Sequence, residues 1–149
     1  MSWHLVLLLL QALLVTSLAD AQNSKTTTDE LKPAELAHRL YTECGEQWLV
    51  RGAIATCVLE KEEAFGKQLE QVYKKALTLA GTNDTLLRES QRSWLKYQES
   101  TCKLVEAQVR HEGPTIGRAA AAGCLLRMTL ERLEELRGFV TLLEKYGPL

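Results

Sequence analysis

The sequence has little of what enzymes are commonly built from. Apart from His4, histidine occurs only at His38 and His111, in unrelated segments with no H-E-x-x-H or comparable spacing. The cysteines, Cys44, Cys57, Cys102 and Cys124, form no C-x-x-C pair and match no zinc-ligand pattern, so no metal centre is expected. Ser90, Ser93 and Ser100 stand in a helical segment, not on a strained G-x-S-x-G elbow. Paired carboxyls occur at Glu60 with Glu63 and at Glu131 with Glu134 or Glu135. Such spacings mark solvated helix faces, whereas glycoside hydrolysis needs two carboxyls across a cleft. Glycine-rich phosphate loops and haem attachment motifs are absent as well, so neither catalysis nor a cofactor is expected.

An excess of charge is lacking too. The formal net charge is −1, and no basic stripe interleaved with aromatics is present, which removes the electrostatic case for nucleic acid or an acidic membrane. Strand-like alternation of apolar and polar residues is absent throughout, so the expected fold class is all-α.

What is present begins with an apolar run, Leu5 to Leu10 and Ala12 to Val15, followed by Ala19-Asp20-Ala21. Residues 1–21 therefore read as a secretory signal peptide, although the leading segment carries His4 and no lysine or arginine. A retained membrane anchor would need about 20 apolar residues, and Gln11, Thr16, Ser17 and Asp20 interrupt the run. The expectation is export to the periplasm or beyond, with no membrane anchor after cleavage. Residues 22–31 are polar and read as a flexible leader; residues 32–149 are long enough for a single helical domain with one core.

Within that domain, a short helix is expected from Ala34 to Glu43, with Ala37, Leu36 and Leu40 on one side. An irregular segment, Gly45 to Gly52, follows. A first long helix from about Ile54 to Ala80 carries the stripe Val58, Phe65, Leu69, Val72, Ala76 and Leu79. Gly81 suits a left-handed helix terminus, and Asn83 or Asp84 a cap for the next helix. That helix, Thr85 to about His111, places Leu87, Trp94, Tyr97, Thr101, Leu104, Val105 and Gln108 on one broad face. A third, about Ile116 to Tyr146, offers Ala119, Ala120, Gly123, Leu126, Leu130, Leu133, Val140 and Leu143. The architecture expected is an antiparallel bundle of three long helices plus a short N-terminal helix.

Two long helices flank the break Glu112-Gly113-Pro114-Thr115, and their arms rise equally per residue. Residues equidistant from Gly113 therefore sit level across the hairpin. Cys102 and Cys124 are equidistant from it. Four cysteines on an exported chain suggest two disulfides with three possible pairings. The hairpin selects Cys102 with Cys124 and leaves Cys44 with Cys57. The same rule sets Trp94 level with Arg132, and Glu99 with Arg127.

The segment best suited to recognise a partner is the loop closed by Cys44 and Cys57, with Trp48 at its middle and Glu46 and Arg51 nearby. A stapled loop loses little entropy on binding, and tryptophan is a frequent interface anchor. The competing reading folds Trp48, Leu49 and Val50 inward as a plug. The turn Gly113 to Gly117 is a second contact point.

Cys57-Val58-Leu59 opening a helix, then SQRSWLKYQESTC, then CLLRMTLERLEEL, is an order that resembles the LprI-like lysozyme-inhibitor family of bacterial envelope proteins. The resemblance covers about Cys44 to Leu143. Its most specific residues are Gln91, Trp94, Tyr97 and Cys102, followed by Cys124, Leu126, Thr129 and Arg132. The family often has arginine where this chain has Gln98, and a Gly-Ser turn where it has Gly113-Pro114-Thr115. What the resemblance implies is a secreted, disulfide-bonded, non-enzymatic helical protein whose partner is a protein, lysozyme in some relatives. Gln91, Trp94, Tyr97, Thr129 and Arg132 then read as a structural motif. An inhibitor of a basic lysozyme would gain on-rate from an acidic face, and Glu60, Glu62, Glu63 and Glu70 are the acidic residues expected to supply it. The alternative is an envelope interaction or assembly module, whose sign would be an apolar patch left on the folded surface.

Overall fold

A computed structural model of the chain describes residues 31–47 and 51–148. Four helices follow one another: α1 (Pro33–Gln47), α2 (Arg51–Ala80), α3 (Asp84–Val109) and α4 (Pro114–Tyr146). Their lengths are 15, 30, 26 and 33 residues, so the fold is all-α, one short helix and three long ones in a bundle. Two single turns of 3₁₀ helix, Gly81–Asn83 and Arg110–Glu112, make the corners between the long helices. Among the described residues no helix is long and apolar enough to cross a membrane.

The helix ends follow local chemistry. Pro114 opens α4, where its missing N–H costs nothing, and Gly113 before it takes φ 135°, a conformation that a side chain would strain. Gly81 adopts φ 59° at the end of α2, the left-handed terminus its position suggests. Asp84 directs its carboxylate to Arg88 Nε at 3.2 Å and accepts the Thr85 hydroxyl at 3.2 Å. The segment Gly45 to Gly52 departs from expectation: α1 runs through Gly45 to Gln47, and α2 begins at Arg51. A helical glycine costs about 1 kcal/mol relative to alanine. Here the packing of α1 around a fully buried Cys44 offsets that cost.

Both cysteine pairs are disulfides, Cys44 with Cys57 and Cys102 with Cys124, with Cα atoms 5.8 and 5.6 Å apart. The second closes a separation of 22 residues, stabilising the fold by about 3 kcal/mol in the chain-entropy account. The hairpin symmetry holds along its length. Gln98 meets Thr129, 15 and 16 residues from Gly113, and Arg132 meets Trp94, each 19 residues from it. Helix α2 instead runs parallel to α4, joined by Glu62 with Thr129, Gln68 with Arg137 and Lys75 with Glu144.

Helix α4 is the axis of the bundle, because α1, α2 and α3 all pack on it. Its buried residues alternate from Ala122 through Cys124, Leu126, Met128 and Leu130 instead of forming one stripe. One core cluster joins Ala37, Leu40 and Val58 to Ala122, Leu126 and Leu130; another joins Leu69, Ala76 and Leu87 to Leu133, Leu136, Val140 and Leu143. Met128 fills a third with the Cys102 and Cys124 sulfurs, 3.8 and 3.9 Å from its Sδ. Both cysteine sulfurs are in a disulfide and carry no proton, so that contact is van der Waals packing.

The α3 face differs from the apolar one expected. Its buried residues are Leu87, Gln91, Gln98 and Cys102, whereas Tyr97 is 61% and Leu104 66% exposed. The disulfide sets the rotation of α3: once Cys102 points at α4, residues about one and three turns back, Gln98 and Gln91, point there too. Tyr97 is rotated away by one residue. The buried amides are satisfied. Gln98 Nε2 donates to Thr129 Oγ1 at 3.0 Å, and that hydroxyl donates to Glu62 Oε1 at 2.9 Å, tying α3, α4 and α2 together. Gln91 Oε1 accepts from Arg132 Nε at 3.1 Å.

Two stability tests follow from these contacts. Thr129→Val keeps the shape but strips the buried Gln98 amide of its acceptor, and should cost about 1 to 3 kcal/mol in urea unfolding; Thr129→Ser should recover most of it. At Gly123 a Cβ would lie 3.0 and 3.1 Å from the Tyr41 ring, while at Gly138 nothing lies within 4 Å. Gly138→Ala should gain about 0.5 to 1 kcal/mol of helix propensity. Gly123→Ala should instead lose about 1 kcal/mol through crowding of Tyr41; equal gains at both sites would refute the close docking of α1 on α4.

Candidate functional site

The described parts of the stapled α1–α2 junction and the start of α4, far apart along the chain, lie together at one end of the bundle. A cleft of about 200 Å³ is lined by Tyr41 of α1, Ile54 of α2, and Thr115, Ile116 and Ala119 of α4. It therefore joins the stapled α1–α2 hairpin to the start of α4, just beyond the Gly113 turn. On the other side of the first turns of α2, a second cleft of about 380 Å³ lies between Ala55, Thr56 and Leu59 and the α4 residues Arg118, Ala121 and Leu125. The small side chains between Ala119 and Gly123 make room for both clefts. Both clefts thus border the first turns of α2, which Cys57 ties to α1.

Of the partner-binding residues read from sequence, Glu46 is exposed near the end of α1. Trp48 lies outside the described residues, as does the plug formed with Leu49 and Val50. Arg51 is the first residue of α2, and its side chain also lies outside them. Ile116 falls in the turn Gly113 to Gly117, whereas Tyr41, Ile54 and Arg118 were not singled out from sequence. No local signal marks Tyr41 and Ile54, because only the packing of α1 and α2 on α4 brings them together.

The motif residues gather elsewhere, at the α3–α4 seam. The Arg132 guanidinium lies 5.9 Å from the Trp94 ring centroid. Its Nη2 donates to Ser90 Oγ at 3.0 Å and its Nη1 to Glu135 at 3.0 Å, beside the Gln91 contact already described. With only 11% of its side chain exposed, Arg132 is a held cation rather than one free for a ligand. Thr129 is 2% exposed, in the relay from Gln98 to Glu62. Tyr97, on the open side of α3, belongs to neither network. An apolar groove of about 430 Å³, with Leu86, Leu87, Leu136 and Phe139 in its walls, opens beside Arg132.

The electrostatics overturn one expectation. Glu63 and Glu70 do not form an acidic face, because Lys67 Nζ lies 2.7 Å from Glu63 and Lys74 Nζ 2.6 Å from Glu70. The hydrogen bond from each lysine, and then its charge, hold both carboxyls below their ordinary pKa. Glu62 is turned toward Thr129. The level residues Glu99 and Arg127 pair along their own helices, with Lys103 at 2.6 Å and with Glu131 at 2.6 Å. On a helix surface a partner four residues away is nearer than one across the seam, so i,i+4 pairing wins. Among the described residues no group of three or more His, Cys, Asp or Glu is placed to hold a metal ion.

No curated protein and no solved structure matches the chain. A protein-family model described as lysozyme inhibitor LprI matches residues 44–136, a span that contains both disulfides, the α1–α2 junction and the motif residues of α3 and α4. By that match over more than half of its length, the chain belongs to the LprI lysozyme inhibitor family.

Proposed function

We propose that this protein is an exported, non-enzymatic inhibitor of a c-type lysozyme, acting by occlusion through the stapled end of the bundle. The observation that carries this reading is the family match, which includes the whole of that end from Cys44 through α2 and the Gly113 turn. Its support from physical chemistry is preorganisation. A disulfide holds the α1–α2 hairpin before any partner arrives, so binding costs little ordering of the chain. The signal-like pattern of residues 1–21 supports export to the compartment where lysozyme acts. In a lysozyme turbidity assay the purified chain, cleaved after Ala21, should slow lysis in a saturable way. No inhibition at tens-of-micromolar excess would rule the reading out for that lysozyme.

A second reading, an envelope interaction or assembly module without a lysozyme role, draws on the opposite end. There Leu86, Leu142 and Tyr146 are 65%, 55% and 68% exposed, and Leu86 also lines the apolar groove. Large exposed apolar groups of this kind favour protein contacts. Under this reading, pull-downs from envelope extract should retain a partner that Leu86→Asp abolishes, and neither protein should inhibit lysozyme; retention by both proteins would exclude the groove.

A further inference from the structure

Three of the four exposed large apolar side chains of α3 fall on one line. Leu86, Tyr97 and Leu104 are 65%, 61% and 66% exposed. They are spaced by 11 and 7 residues, which is within about 20° of three and two full helical turns. Ser90, Ser93 and Ser100 occupy the turns between them and are exposed as well. Every charged residue of α3 stands at least about 60° away from this line. The fourth exposed side chain, Leu95, is on the opposite side, in a hollow with Tyr73 of α2. Single exposed apolar residues are ordinary. A charge-free line of them about 27 Å long has the pattern of a helix-packing face. Covering it would not strand its hydroxyls: Ser100 Oγ donates to the Tyr97 carbonyl at 3.0 Å, and Ser90 Oγ accepts from Arg132 Nη2 at 3.0 Å.

The order of side chains about Leu95 selects the occupant. Leu86 and Leu104 are each nine residues from it, Ser90 and Ser100 five, and Ser93 and Tyr97 two. A second α3 laid antiparallel on this face, its two-fold axis level with Leu95, sets leucine against leucine at both ends and serine against serine further in. Each Tyr97 ring then lies over Ser93 of the other copy. Alternating helical steps of four and three are symmetric in any sequence; here residue size follows the symmetry and lets the helices approach closely. The charged edge of the stripe is complementary in the same arrangement. Glu89 and Lys103 stand six and eight residues from Leu95, so each comes within about 3 Å in height of its opposite charge on the other copy. Lys103 already donates to Glu99 at 2.6 Å, and an ammonium has donors left for a second carboxylate. Lys96 meets its own copy at the axis, one like-charge contact against two attractive ones. A parallel copy would lose these pairs, because it sets the charged edge of one chain against the α4 side of the other. We infer that the outer stripe of α3 is a self-association face, on which two copies of this chain pack antiparallel, α3 against α3. The Cys102–Cys124 disulfide prepares it by turning Tyr97 outward. A contact about 27 Å long and one helix, about 10 Å, wide is smaller than the roughly 800 Å² per partner of a stable complex. The dimer is therefore weak, with a dissociation constant of about tens of micromolar.

Sedimentation equilibrium of the purified chain, cleaved after Ala21, should show monomer and dimer in exchange between about 1 μM and 1 mM. Tyr97→Asp, at a position outside the core, should weaken dimerisation roughly tenfold or more. Leu95→Asp, on the other side of the same helix, should leave it unchanged, with circular dichroism as the check on folding. Glu89→Lys and Lys103→Glu each set like charges against one another across the two-fold axis and should weaken self-association. Mixed in equal amounts, the two variants should form a heterodimer tighter than either alone. Monomeric behaviour up to about 1 mM overturns the inference and leaves the stripe to a different protein. A Tyr97→Asp dimer as tight as wild type, or a mixture no tighter than its components, overturns it too. Lysozyme inhibition is read separately in the turbidity assay, and the inference does not rest on it.

Discussion

The bond between Cys102 and Cys124 is the constraint on which the rest of the bundle depends, because it fixes two quantities at once. It sets the height of α3 against α4, so that every pair equidistant from Gly113 comes level. It also sets the rotation of α3, turning Gln91 and Gln98 inward and Tyr97 outward. Helix α3 therefore meets the core with amides, and its contact must be completed by hydrogen bonds. Thr129 and Arg132 complete it from α4, and Glu62 extends it to α2. A buried amide without a partner would cost more than the hydrogen bond itself contributes, so these contacts are stricter in register than apolar packing would be.

A second consequence is the central position of α4. A helix covered by three neighbours has no single apolar stripe, and its small residues near the N-terminal end let α1 approach closely while leaving hollows beside α2. The same residues thus serve packing on one side and surface shape on the other. The second disulfide holds α1 and α2 together at this end. Surface charge adds little to stability here. The i,i+4 ion pairs are solvent-exposed and screened, but Lys67 and Lys74 offset the charge of Glu63 and Glu70.

Much of this was legible in the sequence. Helical spacing of apolar residues located the long helices, glycine and proline marked the turns, and equal spacing about Gly113 paired the cysteines and brought Trp94 to Arg132. The errors share one cause. Tyr97 and Leu104 were placed inside for their side-chain type, and Gln91 and Gln98 received no place in the core, because periodicity weighs apolarity and does not see a hydrogen-bond partner on another helix. Gly45 and Gly52 were read as breaks, since local propensity disfavours glycine in a helix; packing around Cys44 reversed that preference at Gly45.

What the sequence determined by itself was whatever depends on neighbours along one helix or on symmetry about one turn: the fold class, the long helices and the disulfide pairing. Those are short-range interactions, and their geometry is given by the rise and period of the helix. Which side chains share a surface was decided only by the tertiary structure. Tyr41, Ile54 and Ile116 come from three helices, and no local rule relates them. Their meeting follows from three helices closing on α4 at one register, a result of the whole core's packing that no segment carries alone.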